Sequence, residues 1–247
     1  MESSPGSFDS GEGPMEDFSI PPESASAELR PLPMRLVQVF FSPGELFSAL
    51  REKPVWFGAM AVTAVLIGVG MALLPTELWV EFSRNQMISS GQDVPPGFES
   101  AGSIIRITSI LGGAIMTPVM MFVLAGIVTG IFSFLLGGEG SYKQYLSVIA
   151  HASIITGLST LLLVPLKIAQ GDPSITLNIG TFFSFLGDGY PFRALKMLDL
   201  FALWSYAVMA IGVTKMDPRR SFGFALTVFV GFAVAFALIF ALFPGAG

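Results

Sequence analysis

The chain has 247 residues, of which 52% are hydrophobic and only 13% charged, with a mean hydropathy of +0.70; a soluble domain carries about 25% charged residues, so that class is excluded. With no cysteine and one histidine, His151, the sequence excludes disulfides, thiolate metal sites and multi-histidine zinc or haem centres, and no cofactor is expected. Of the eighteen acids behind the net charge of −5, seven lie in the first 28 residues without a base among them, which leaves the rest close to neutral. The composition reads as an all-α integral membrane protein with five transmembrane helices in one bundle and an acidic amino-terminal tail.

Residues 1–33 are rich in Ser, Pro, Gly and acids and are predicted to be a disordered cytoplasmic tail, because they cannot bury enough apolar surface to offset ordering. They have no basic start and no apolar core, so they do not read as a signal peptide. The membrane domain is predicted over 34–247. A short helix is predicted over 42–53, with Ser42 as cap, Pro43 first, Glu45 closing a capping box and Phe41 stapled to Leu46. Its apolar side (Leu46, Phe47, Leu50) opposes Glu45, Arg51, Glu52 and Lys53, the pattern of an interfacial helix on the cytoplasmic leaflet.

A helix needs roughly 20 apolar residues to cross about 30 Å of hydrocarbon, and five apolar runs, uncharged but for Asp199, approach that length: 55–74, 107–136, 145–166, 198–214 and 221–243. The second is longer than one crossing needs and contains Pro118, so tilt, a kink near the proline or a helix projecting from the membrane is expected. Ser141 and Gln144 form a capping box before the third. The fourth begins with Asp199, and Asp217 with Pro218 launches the fifth. A helix is expected from Thr76 in the first outer loop, and Phe182, Phe183 and Phe185 centre an interfacial or re-entrant segment in the third. With the amino terminus inside, eight basic residues lie on the cytoplasmic side against five opposite, and the positive-inside rule places the carboxyl terminus outside.

Candidate functional residues are few. His151 and Asp199, ionisable groups in or near spans, form a possible intramembrane polar site. Gly126 with Gly130 and Ala64 with Gly68 carry the four-residue small-residue spacing of packed helices, within the chain or between chains, as do Ser153 with Gly157 and Gly231 with Ala235. Met116, Met120 and Met121 read as adaptable packing. Arg51, Lys53 and Trp204 read as interfacial anchors, and Arg106 and Arg193 as headgroup anchors. There is no HExxH, no GxSxG and no second histidine for a triad, so catalysis is not expected.

The order SPGELFSALREKP, a glycine-rich turn running into SYKQYLSVIAHASI, and LDLFALWSYAVMAIGVTK before a short basic loop resembles the bacterial branch of the Yip family, membrane proteins related to the Ypt/Rab-GTPase-interacting proteins. The resemblance runs roughly from Leu36 to Phe243 and is carried by Gly138, Gly140, Tyr142, Gln144, Phe201, Trp204 and Gly212. It implies five helices, a cytoplasmic amino terminus and, for eukaryotic relatives, small-GTPase partners in trafficking or membrane shaping. The expected function is a non-enzymatic scaffold in a bacterial cytoplasmic membrane, in contact with lipid, with copies of itself or with other membrane proteins, and not with nucleic acid. The alternative is a small transporter or channel built around His151 and Asp199.

Overall fold

The computed structural model describes residues 29–187 and 189–243, and among these every regular element is helical. Residues 1–28 of the predicted disordered tail lie outside the described residues; the rest of that segment is already entering structure, because a first helix, α1, spans Leu32–Phe41. This helix turns Gln38 and Val39 into the protein and leaves Met34, Val37 and Phe41 exposed.

Helix α2, Pro43–Glu52, lies where the short helix is predicted, and differs in detail. Ser42 occupies the cap position without a side-chain cap bond, and Phe41 is 83% exposed and so not stapled to buried Leu46. Leu46, Phe47 and Leu50 are all buried in the main core, against the helix Leu200–Met216 described below, so the apolar side faces protein instead of a leaflet. A missing hydroxyl cap, worth about 1 kcal/mol, costs little beside the burial of three large side chains, each worth about 1.5–3 kcal/mol.

Helix α3, Phe57–Ala72, meets α4, Thr76–Ser89, at a 93° bend around Pro75. At 1.5 Å per residue α3 is only about 24 Å long. Its last carbonyls are nonetheless bonded: Trp79 Nε1 donates to the Met71 carbonyl at 3.3 Å and Arg106 donates to that of Ala72 at 2.5 Å. Helix α5, Gly102–Thr129, runs on through Pro118 as one element and leaves α geometry later, in a π turn over Gly130–Leu135. Helices α6, Tyr142–Ala152, and α7, Ile154–Leu162, follow in line. The Ser141–Gln144 capping box is present as the sequence predicts.

After the short helices α8, Val164–Gln170, and α9, Tyr190–Lys196, come α10, Leu200–Met216, and α11, Phe222–Phe240. The cap of α11 is Ser221, whose hydroxyl accepts from Phe224 N; Asp217 instead ends α10. Phe182 and Phe185 lie exposed on a 3-10 stretch, Ile179–Leu186. Among the described residues three helices are long and apolar enough to cross a membrane, Phe98–Leu135, Tyr142–Leu162 and Phe222–Phe240, and the bent α3–α4 pair makes up to four. Of their most apolar windows, 67% of the α6–α7 window is buried inside the protein, against 22% for α5 and 17% for α11. The α6–α7 rod is therefore the centre of the bundle, and α5 and α11 are its flanks.

Close backbone approach joins the rod to its neighbours. A Cβ at Gly70 of α3 would lie 2.8 Å from the Thr160 methyl, and one at Gly157 of α7 would lie 3.2 Å from the Thr63 methyl. At Gly212 of α10 a Cβ would overlap Val148 of α6. Ser205 of α10 adds a buried hydroxyl bond to the Ala152 carbonyl at 3.1 Å. Alanine normally favours a helix over glycine by about 1 kcal/mol, so the sign of Gly212→Ala is diagnostic. It should lower thermal stability in detergent by about 1–3 kcal/mol through overpacking, and Val148→Ala in the same chain should recover much of that loss.

Candidate functional site

The two ionisable residues of the predicted polar site have separate surroundings. His151 is 0% exposed on α6. Its Nδ1 lies 2.8 Å from the Ser147 carbonyl, which can only accept, so the proton sits on Nδ1 and the neutral ring offers Nε2 as acceptor. Arg35 of α1 fills that role, its guanidinium 3.3 Å from Nε2. The Arg35 Nε is buried with no hydrogen-bond partner among the described residues. No acid in the sequence near Arg35 or His151 had suggested this pairing, and the arginine is a site residue that sequence reasoning missed; its position two turns ahead of Pro43 on an amphipathic stretch was the available signal.

Asp199 is the cap of α10, its Oδ1 accepting from Ala202 N at 2.7 Å. Around it the chain is tied by Leu200 N to the Leu177 carbonyl at 2.8 Å and by Ile179 N to the Leu198 carbonyl at 3.0 Å. Asp199 lines a largely apolar cleft of about 690 Å³ between α5, α6–α7, α10 and α11; His151 does not. The structure therefore does not bring His151 and Asp199 into one site.

A second charged cluster, at the basic end, lies in the sequence KMDPRR. Asp217 is 0% exposed; its carboxylate accepts from Arg219 Nε at 3.1 Å and from Arg220 Nε at 3.3 Å. Both guanidiniums also reach across to the turn after the π segment, Arg219 to the Gly137 carbonyl at 2.7 Å and Arg220 to that of Leu136. Gly138 fits this clamp because a Cβ there would come within 2.8 Å of Asp217 Oδ2. Burial alone would raise the Asp217 carboxyl, but the hydrogen bonds and charge of Arg219, with a hydrogen bond from Arg220, hold it below the ordinary carboxylate range.

The remaining predicted residues fall into two groups. Gly68 meets the Ala114 methyl of α5 at 3.6 Å and Ala64 is half-buried, whereas a Cβ at Gly126 or Gly130 would meet nothing within 4 Å. Arg51 and Lys53 are exposed at the end of α2, where the Arg51 carbonyl accepts from Gln144 Nε2 at 2.7 Å. Trp204 is 45% exposed and packs edge-on against Phe40 of α1, ring centroids 5.6 Å apart. Arg193 donates to the Ala241 carbonyl at 3.1 Å, tying α9 to the end of α11. Among the described residues no group of three or more potential metal ligands occurs.

The Yip1 domain family matches residues 37–243, most of the chain and every described helix from α2 on. The chain belongs to the Yip1 domain family. It is 24% identical over 214 residues to the membrane protein YknW of Bacillus subtilis (strain 168), an alignment covering 82% of this chain and 88% of the relative. No solved structure matches it. Within this Yip1 domain several of the residues that carry the sequence resemblance are packing points: Gly138 at the Asp217 clamp, Gly140 against the Tyr145 ring, Gly212 against Val148, and Gln144 both capping α6 and holding α2.

The clamp makes the Yip1 domain sensitive to acid. Because the folded Asp217 carboxyl titrates below its unfolded value of about 3.9, its stabilisation is complete above that pH and is lost as pH falls through the folded value. Melting in detergent at pH 5 and pH 3 should show a decline for the native chain. Asp217→Asn should melt several degrees lower at pH 5 and decline less between the two pH values.

Proposed function

We propose that this Yip1 family membrane protein is a non-enzymatic scaffold of a bacterial cytoplasmic membrane. In this reading α3, α5, α6–α7, α10 and α11 are five spans, with the amino terminus cytoplasmic and the carboxyl terminus outside. The basic end, with Arg51, Lys53, Lys143, Lys215, Arg219 and Arg220, is then the cytoplasmic one, in keeping with the positive-inside rule. Supporting the fourth and fifth crossings, α10 is apolar over 17 residues, about 26 Å, and α11 has a mean hydropathy of 2.5.

The observation that carries the scaffold reading is the open space above Gly126 and Gly130 on the outward side of α5. Small residues there have no partner helix among the described residues to approach, so their use is between molecules, where they let backbones of neighbouring copies or other membrane proteins come close. At the basic end the exposed polar side of α2 and the exposed apolar side of α1 supply surfaces for cytoplasmic partners and lipid respectively. A small GTPase is a partner only by analogy with eukaryotic relatives. The transport alternative has less support, because His151 and Asp199 share no cavity.

The test is the Gly126→Leu/Gly130→Leu double variant, followed by crosslinking in native membranes and mass measurement in detergent. The expected result is a smaller assembly with an unchanged melting temperature, since a Cβ at either position meets nothing within 4 Å among the described residues. Native assembly size in that variant would sink the reading.

A further inference from the structure

The cleft that Asp199 lines has the construction of a lipid site. It is shaped like a V. Near the basic end α5 and α11 are bridged through Phe132 of the π turn, 0% exposed, whose ring lies 6.5 Å from that of Phe224 and 6.1 Å from that of Phe229. Towards the opposite end α11 is held by α9, through Tyr190 to the Leu238 carbonyl and Arg193 to the Ala241 carbonyl. The wedge between them opens sideways. Each wall is one helix face: residues 116, 120, 123 and 127 on α5 and 229, 232, 233 and 236 on α11 recur at three- and four-residue spacing.

The rim is apolar and uncovered, with Met116, Met120, Phe232 and Phe236 each more than half exposed. The floor carries hydroxyls from Ser153 and Thr156. Asp199 is the one charged side chain among the described lining residues, and it stands at the wide end. Lys167 is close enough for its charge to act on Asp199. The volume of about 690 Å³ is within the range of ligand pockets.

We propose that this cleft binds one aminophospholipid, its acyl chain lying between α5 and α11 and its ammonium group at the Asp199 carboxylate. Apolar walls open to the side accept a chain directly from the bilayer, which a soluble ligand's pocket has no reason to allow. The carboxylate then selects the headgroup. An ammonium with N–H donors gains a charge-assisted hydrogen bond, while an anionic phosphatidylglycerol headgroup meets repulsion and has no cation to offer. Gly126 and Gly130 do not line the cleft, and its test reads lipid retention instead of assembly size, so it stands or falls separately from the scaffold reading.

The experiment is native mass spectrometry of the delipidated full chain in detergent, titrated separately with palmitoyl-oleoyl phosphatidylethanolamine, phosphatidylcholine and phosphatidylglycerol. A single retained phosphatidylethanolamine is expected, bound about tenfold more tightly than phosphatidylglycerol, with phosphatidylcholine between, as a lost charge-assisted bond implies. Asp199→Asn keeps a good helix cap and should bring the headgroups to within about twofold. Ala233→Phe on one wall and, should that chain not yield monodisperse protein, Met120→Trp on the other should remove the retained lipid. Equal retention of phosphatidylethanolamine and phosphatidylglycerol by the native chain would overturn the proposal. So would an undiminished preference in Asp199→Asn, or native retention in the filled variants.

Discussion

Val148 occupies the space that any side chain at position 212 would need, and the bundle is organised around that contact. Lipid tails are as apolar as the helices themselves, so helices in a membrane are held by close packing and interior hydrogen bonds more than by exclusion from solvent. Here the α6–α7 rod meets α10 at Val148 and Gly212 and meets α3 at Gly157, Thr63, Thr160 and Gly70, with the Ser205 hydroxyl bonded into the same seam. With those contacts fixed, α5 and α11 are free to present most of their surface outward, and the wedge between them follows.

What could be read from the sequence was mostly local. The Ser141–Gln144 box involves residues three apart and was legible because nothing distant competes for those groups. The apolar runs mark helices because length and composition settle them. Ser42 and Asp217 show the limit. Both have the residue type of a cap followed by proline, yet Ser42 makes no cap bond and Asp217 is drawn into the Arg219–Arg220 clamp on a turn some 80 residues earlier. Likewise the apolar side of α2 reads as an interfacial pattern, and only its contact with α10 shows that it faces protein. Local grammar cannot distinguish an apolar stripe that meets lipid from one that meets another helix.

The candidate site was legible as residues and not as geometry. His151 and Asp199 stand out because ionisable groups are rare in apolar segments, but which partner each takes depends on long-range placement. Arg35, 116 positions from His151, became visible only with the fold. Its guanidinium donates to a neutral ring instead of a carboxylate, so α1 is fastened across the start of the bundle by a bond whose strength depends on the histidine's proton staying on Nδ1.

The bonded end of α3 bears on how this protein sits in bilayers of different thickness. A helix of about 24 Å is shorter than an average hydrocarbon layer of about 30 Å, and a bare carbonyl terminus in that layer would force lipids to thin around it. Trp79 from α4 and Arg106 from α5 supply the missing donors from within the protein. On the five-span reading, a terminus bonded in this way lies below the headgroups without drawing water to it, and the fold instead of the membrane absorbs the mismatch at α3.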